Sequence, residues 1–170
     1  GSNIGISALY FLTRFPECKC YLFEPDPRNV QRLAHNLRDY PGRFVLTEAA
    51  VADRAGTFDF GIEDSGRLGG LGIKTGRSIK VRCLHINEVL ARVLAKEGEI
   101  DVLKMDTEGA EDDTVAAIDE AYLRSIRLML YESSRDSRIV TVRPNGGGRP
   151  PASVAGASIR LKALHGRVIA

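Results

Sequence analysis

Residues 101–111 read Asp-Val-Leu-Lys-Met-Asp-Thr-Glu-Gly-Ala-Glu, placing four acids and one lysine in a single short stretch. Carboxylates so close to an amine can orient a hydroxyl, take its proton as charge develops, or hold a divalent cation. Residues 101–105 have the apolar character of a buried strand, and its period-2 alternation puts Lys104 and Asp106 on one face. Gly109 then permits a tight strand-to-helix turn that aims Glu108 and Glu111 inward or across the start of the next helix. The plain alternative is a set of acids stabilised by a helix N-terminus, which accounts for Asp112 and Asp113 better than for Lys104.

Two further places carry binding chemistry. Gly1-Ser2-Asn3-Ile4-Gly5 has glycines four apart and precedes a helical pattern, so its backbone N–H groups can approach a ligand, although it is not the GxGxxG of dinucleotide binders. Glu24 follows a short apolar run about twenty residues later, where an acid can accept hydrogen bonds from both hydroxyls of a ribose. That position serves an adenosylmethionine and a nicotinamide dinucleotide equally well. Cys18, Cys20 and Cys83 make neither an even framework nor a CxxC pair, and His35, His85 and His165 lack ligand spacing, which predicts free thiols and no structural zinc.

These residues need elements to hold them. Residues 4–14 place Ile6, Leu9, Tyr10 and Thr13 at helical spacing before Pro16. Residues 18–23 form a strand running into Glu24-Pro25-Asp26-Pro27, with Asp26 as cap and Pro27 at the first helical position. Val30, Leu33, Ala34 and Leu37 continue that helix, and residues 44–46 form the next strand. Segment 49–62 turns around Asp53-Arg54-Ala55-Gly56 and predicts a hairpin or an added strand pair. Residues 64–78 read as a surface loop, in which Gly66, Gly69, Gly70, Gly72 and Gly76 mark a mobile segment sooner than an acceptor-site lid.

Downstream, residues 79–84 predict a strand, residues 89–94 a helix closed by Gly98, residues 112–123 a helix and residues 126–131 a strand. Strands alternating with helices imply right-handed crossovers and an α/β, doubly wound, mostly parallel Rossmann-like sheet with helices on both faces. Such a sheet binds its ligand at the carboxyl ends of its strands.

The 170 residues are 44% apolar and 27% charged, near the globular average, and no apolar run approaches the length of a membrane span. No export signal opens the chain, so the expectation is a cytoplasmic protein without membrane partners. Residues 133–170 hold seven basic groups against one Asp. That tail has no interleaved aromatics or recognisable module, which argues against nucleic acid as a partner. Its run Arg143-Pro144-Asn145-Gly146-Gly147-Gly148-Arg149-Pro150-Pro151 predicts an irregular, basic segment.

The Asp-x-Leu-Lys-x-Asp-x-Glu-Gly-Ala-Glu run is similar to the signature of FkbM-type methyltransferases. The resemblance extends to Gly1-Ser2-Asn3-Ile4-Gly5, Phe23-Glu24-Pro25-Asp26-Pro27, Asn36, and Ala50-Val51-Ala52-Asp53 with Gly56, all in order across residues 1–132. It implies a class I fold, S-adenosylmethionine as cofactor, and O-methylation of a small-molecule or sugar hydroxyl. By position, Gly1, Ser2, Asn3 and Gly5 hold the methionine end. Glu24 with Pro25 holds the ribose, Glu48 to Ala50 the adenine, and Asp106 and Glu108 face the transfer site. Asp106 is then the orienting group or base, Glu108 its rival, and Lys104 tunes their charge, with no metal.

The chain departs from the family pattern in three places. The strand and acid that usually precede the glycine turn are absent, so the expected sheet has its first strand missing. His85 stands where the family tends to have an acid, and Ser133-Ser134-Arg135 follows Glu132 where the family often shows a histidine. The expected division is therefore residues 1–132 as a partial S-adenosylmethionine-binding domain and 133–170 as an irregular tail. The rival readings are a cofactor-binding fragment without turnover and an NAD-dependent oxidoreductase.

Overall fold

The computed structural model describes residues 1–62, 69–71, 77–133, 138–142 and 167–170. Five helices and ten strands follow one another along these residues. Helix α1 spans Ile6–Arg14, β1 Lys19–Phe23, α2 Pro27–Asn36 and β2 Phe44–Thr47. Strand β3 spans Ala50–Ala52, β4 Gly56–Ile62, β5 Gly69–Leu71, β6 Arg77–His85 and α3 Ile86–Glu97. They are followed by β7 Val102–Met105, α4 Glu111–Ala116, α5 Glu120–Leu123, β8 Met129–Ser133, β9 Arg138–Val142 and β10 Arg167–Ile169.

The main sheet has the order β2-β1-β10-β7-β8-β9. Its first five strands are parallel neighbours and β9 lies antiparallel at the edge. Alternation along each strand splits the core between the two faces. Cys20, Leu22, Val102 and Val168 pack with Ala8, Phe11 and Leu12 of α1 and Leu33 of α2. Tyr21, Leu103, Met129 and Ile169 pack with Val89, Leu90 and Val93 of α3 and Val115 of α4. Helices thus cover both faces, as the alternating pattern requires.

Strand β10 changes the expectation of an empty central position. It lies between β1 and β7, pairing Lys19 with Arg167 and Tyr21 with Ile169 on one side and Leu103 with Ile169 on the other. Residues 167–169 occupy the slot between β1 and β7 that was expected to be empty. Burial explains why: a vacant slot would leave two rows of backbone donors and acceptors unpaired, and Val-Ile is a β-branched pair that suits a doubly covered strand. Residues 138–142 and 167–169 of the tail are therefore ordered into the sheet, contrary to the irregular structure expected there. The Gly/Pro/Arg run at 143–151 and most of the loop at 64–78, with Gly66, Gly72 and Gly76, lie outside the described residues.

Three local expectations are settled by the structure. Of the hairpin and the added strand pair open to segment 49–62, it forms two added strands and not a hairpin, because β3 and β4 do not pair with each other. Both flank β6, β3 in parallel and β4 antiparallel, in a second sheet of order β3-β6-β4-β5. Helix α1 turns Ala8, Phe11 and Leu12 to the core while Ile6 and Tyr10 are exposed, so its buried stripe is rotated from the one read in sequence. The helix expected at 112–123 is broken into α4 and α5. There Asn87 of α3 donates to Ala117 O at 3.0 Å and accepts from Asp119 N at 3.1 Å, taking over backbone groups that a continuous helix would have paired.

The turn into α1 shows how closely its sequence is specified. Gly5 is the residue before the helix and adopts φ +88°, and a methyl group there would sit 3.1 Å from Leu33 Cγ. Gly5→Ala should cost about 2 kcal/mol, from the left-handed backbone and the contact together. Urea unfolding measures this directly, and an unchanged midpoint would show that the turn relaxes without loss.

Candidate functional site

One cavity opens at the carboxyl ends of β1, β10 and β7, bounded on another side by β3 and β4. Its polar wall is Asn3, Glu24, Asp26, Lys104, Asp106 and Glu108, and its apolar wall includes Phe23, Val51, Phe60, Ile86 and Met105. Parallel strands and their following turns converge at this edge, so residues far apart in sequence meet there.

The first turn is tied down by Ser2 and Asn3. Ser2 is buried, its N–H donates to Phe23 O at 3.0 Å, and its hydroxyl accepts from Phe23 N at 2.9 Å while donating to Ala170 O. Asn3 sits at φ +48° and donates its N–H to Glu24 Oε2 at 2.7 Å. Asn36 of α2 donates to Ile4 O at 2.9 Å. The turn is therefore held from β1, β10 and α2 at once.

Glu24 is 4% exposed, and its other oxygen accepts from Asp26 N at 3.0 Å. A carboxylate has about four lone-pair sites, so two backbone donors leave it capacity for a ligand diol. Asp26 caps α2 by accepting from Arg28 N at 2.9 Å and pairs with Arg28 Nη2 at 2.8 Å, with Pro27 as the first helical residue. Burial works to raise the Asp26 carboxyl, but its hydrogen bonds from Arg28 hold it below the ordinary carboxylate value.

At the other wall Lys104 Nζ lies 2.7 Å from Asp106 Oδ2, with the two side chains 24% and 47% exposed. Burial pushes the Asp106 carboxyl up, and the Lys104 hydrogen bond and charge more than offset it, leaving the acid ionised below the usual range. Glu108 moves the opposite way. Burial raises its carboxyl, and the neighbouring charges of Asp106, Glu111 and Glu132 raise it further. It also sits at φ +58°, followed by Gly109 at φ +109°.

Of the two places expected for Glu111, it takes the one across the start of α4. It is 3% exposed and does not line the cavity; one oxygen accepts from Thr107 N and the other from Gly109 N at 2.8 Å. It holds the turn that displays Asp106 and Glu108. Thr107 and Thr114 line the cavity without having been singled out in sequence. Thr114 Oγ1 donates to Ala110 O at 2.6 Å, while the buried Thr107 Oγ1 has no hydrogen-bond partner among the described residues.

Of the residues picked out from sequence, Gly1, Asn3, Glu24, Pro25, Ala50, Lys104, Asp106 and Glu108 line this one cavity. Ser2 and Gly5 shape the turn behind it. Glu48 is exposed and off the wall, where Val51 stands beside Ala50. Phe60, Ile86 and Ile169 were missed because each is an ordinary apolar residue whose membership depends on packing. His85 caps α3, accepting from Asn87 N at 3.1 Å. Among the described residues, no group of three or more His, Cys, Asp or Glu is placed to hold a metal ion, and no helix is long and apolar enough to cross a membrane. Cys18, Cys20 and Cys83 are buried free thiols.

The chain resembles several characterised proteins. It is 32% identical over 133 residues to 2-O-methyltransferase NoeI of Sinorhizobium fredii, covering 68% of this chain and 54% of that one. It is 26% identical to the hexuronic acid methyltransferase AglP of Haloferax volcanii, covering 78% and 53%. It is 25% identical to methyltransferase sdnD of Sordaria araneosa, covering 82% and 66%. The chain thus spans about half the length of the first two relatives. No solved structure matches it. The family model described as the methyltransferase FkbM domain matches residues 1–140, so the chain belongs to the FkbM methyltransferase family.

Proposed function

We propose that this cavity binds S-adenosylmethionine and that the protein transfers a methyl group to a hydroxyl of a small molecule or sugar. The observation that carries the reading is the meeting of Glu24 and the Lys104–Asp106 pair on one cavity at the carboxyl ends of parallel strands. The residues fit the cofactor. Glu24 keeps lone pairs for a ribose, the carboxylates suit a cationic ligand, Phe23, Ala50 and Val51 offer a surface for a purine, and the turn at residues 1–5 approaches from one side. A side chain at Gly1 would meet Glu24 Oε2 at 2.8 Å, so the wall there is closed by backbone.

The cofactor supplies an electrophilic methyl group on a sulfonium sulfur, and the chain's own residues supply position and proton removal. Asp106, kept ionised by Lys104, orients the acceptor hydroxyl and takes its proton as charge develops. Glu108, with its raised carboxyl, lines the same cavity and is the rival for that role. A sugar acceptor is supported by the names of two relatives, one a 2-O-methyltransferase and one a hexuronic acid methyltransferase. A cytoplasmic location belongs to the same proposal.

The test is transfer of an isotopically labelled methyl group to hexose and uronic acid glycosides, followed across pH for the unmodified chain and for Lys104→Met. Asp106 is depressed, so its ionised form, and the activity that needs it, should persist below the ordinary carboxylate range. Without Lys104 the hydrogen bond and the larger of the lowering charges are lost while the raising effect of burial stays, so the acid limb should move to higher pH. Label transfer with that shift supports the reading. Absence of transfer to any hydroxyl contradicts it, and an unmoved limb removes Asp106 from the base role.

A further inference from the structure

Strand β10 is both the middle of the main sheet and a wall of the cavity. Val168 is fully buried on the α1–α2 side and Ile169 is buried on the α3 side. Ile169 and Ala170 line the same cavity as Glu24 and Asp106. Two backbone hydrogen bonds and one from a side chain fasten this end to β1 and the first turn. Ala170 N donates to Tyr21 O at 3.0 Å, Phe23 N donates to Ala170 O at 3.1 Å, and the Ser2 hydroxyl donates to Ala170 O.

The same Phe23 N–H also reaches Ser2 Oγ at 2.9 Å. Ser2, Phe23 and Ala170 therefore form one junction, and the turn that carries Asn3 to Glu24 is built on it. A three-residue strand gains little from its own ladder and depends on the faces it covers. Removing it would open the cavity wall, take from the Ser2 hydroxyl its acceptor and expose the edges of β1 and β7.

We infer that docking of the C-terminal strand and ligand binding are coupled, with residues 167–170 completing the nucleoside site and the bound ligand in turn holding the strand in its slot. The coupling is reciprocal by thermodynamic necessity, because a ligand that binds only the docked form stabilises that form. The inference rests on the proposed cofactor reading, and S-adenosylhomocysteine is the probe. With the ligand about 100-fold above its Kd, opening of the junction should fall about 100-fold if the undocked form does not bind.

Amide hydrogen exchange of the full chain measures this at Phe23 and Ala170, with Gly98, the cap of α3 outside the cavity wall, as reference. The expected result is slowing of at least about tenfold at Phe23 and Ala170, larger than at Gly98. Ser2→Ala, which cuts the tether without touching either core, should weaken the ligand at least about fivefold and speed exchange at Ala170. Ligand binding with no extra slowing at Phe23 and Ala170 would overturn the coupling and leave the cofactor reading intact. Failure of the unmodified chain to bind the ligand would overturn both.

Discussion

Asp106→Asn should lower turnover at least about tenfold while leaving the affinity for S-adenosylhomocysteine within about twofold of the unmodified chain. The substitution keeps the size of the side chain and its place beside Lys104, and it removes the negative charge and the ability to take a proton. Asp106 is half exposed at the mouth of the cavity, so the change leaves both cores intact. Single-turnover transfer of a labelled methyl group separates this from a binding defect. Unchanged turnover would remove Asp106 from the reaction, and a loss in Glu108→Gln would then move the base role to its neighbour.

The largest effect on stability is expected at Glu111. Its two oxygens accept from Thr107 N and Gly109 N, and the side chain is buried. Glu111→Ala leaves two backbone donors without partners, at a cost of about 3 kcal/mol. For a chain of this size that corresponds to a fall in Tm of roughly 6 to 12 °C. Glu111→Gln keeps one acceptor oxygen and should lose about half as much. Thermal unfolding followed by circular dichroism gives both numbers, and a loss below about 1 kcal/mol in Glu111→Ala would show that the turn is held by other contacts. The same variant should reduce turnover, since the turn carries Asp106 and Glu108.

The contrast between these two acids marks what sequence can and cannot tell. Asp106 and Lys104 were legible because period-2 alternation on a buried strand puts them on one face, and strand ends are where parallel sheets bind. Glu111 stands five residues further on in the same signature, yet its carboxylate serves the turn and not the cavity. That distinction depends on which way the turn folds, with Glu108 and Gly109 both at positive φ. Glu24 was legible for the same reason as Asp106, whereas Phe60 and Ile169 carry no local mark of the site they line.

The order of strands was the least legible feature. A parallel sheet with helices on both faces follows from alternating strand and helix patterns. Nothing in Arg-Val-Ile, only three residues in the same basic tail as the Gly/Pro/Arg run at 143–151, announces a central strand. Its place is dictated by the slot between β1 and β7, a long-range demand for paired backbone and covered apolar faces. The pairing of β3 and β4 with β6 instead of with each other is a long-range effect of the same kind. The Asp-Arg-Ala-Gly turn by itself is compatible with a hairpin and with two added strands, and only the position of β6 decides between them.

Calorimetric titration of the chain with S-adenosylhomocysteine, with NAD and the Glu24→Ala variant as controls, tests the central claim most directly. The account predicts binding to S-adenosylhomocysteine that is lost in Glu24→Ala, and no binding to NAD. Binding to NAD alone, or S-adenosylhomocysteine binding that survives the loss of Glu24, would contradict it.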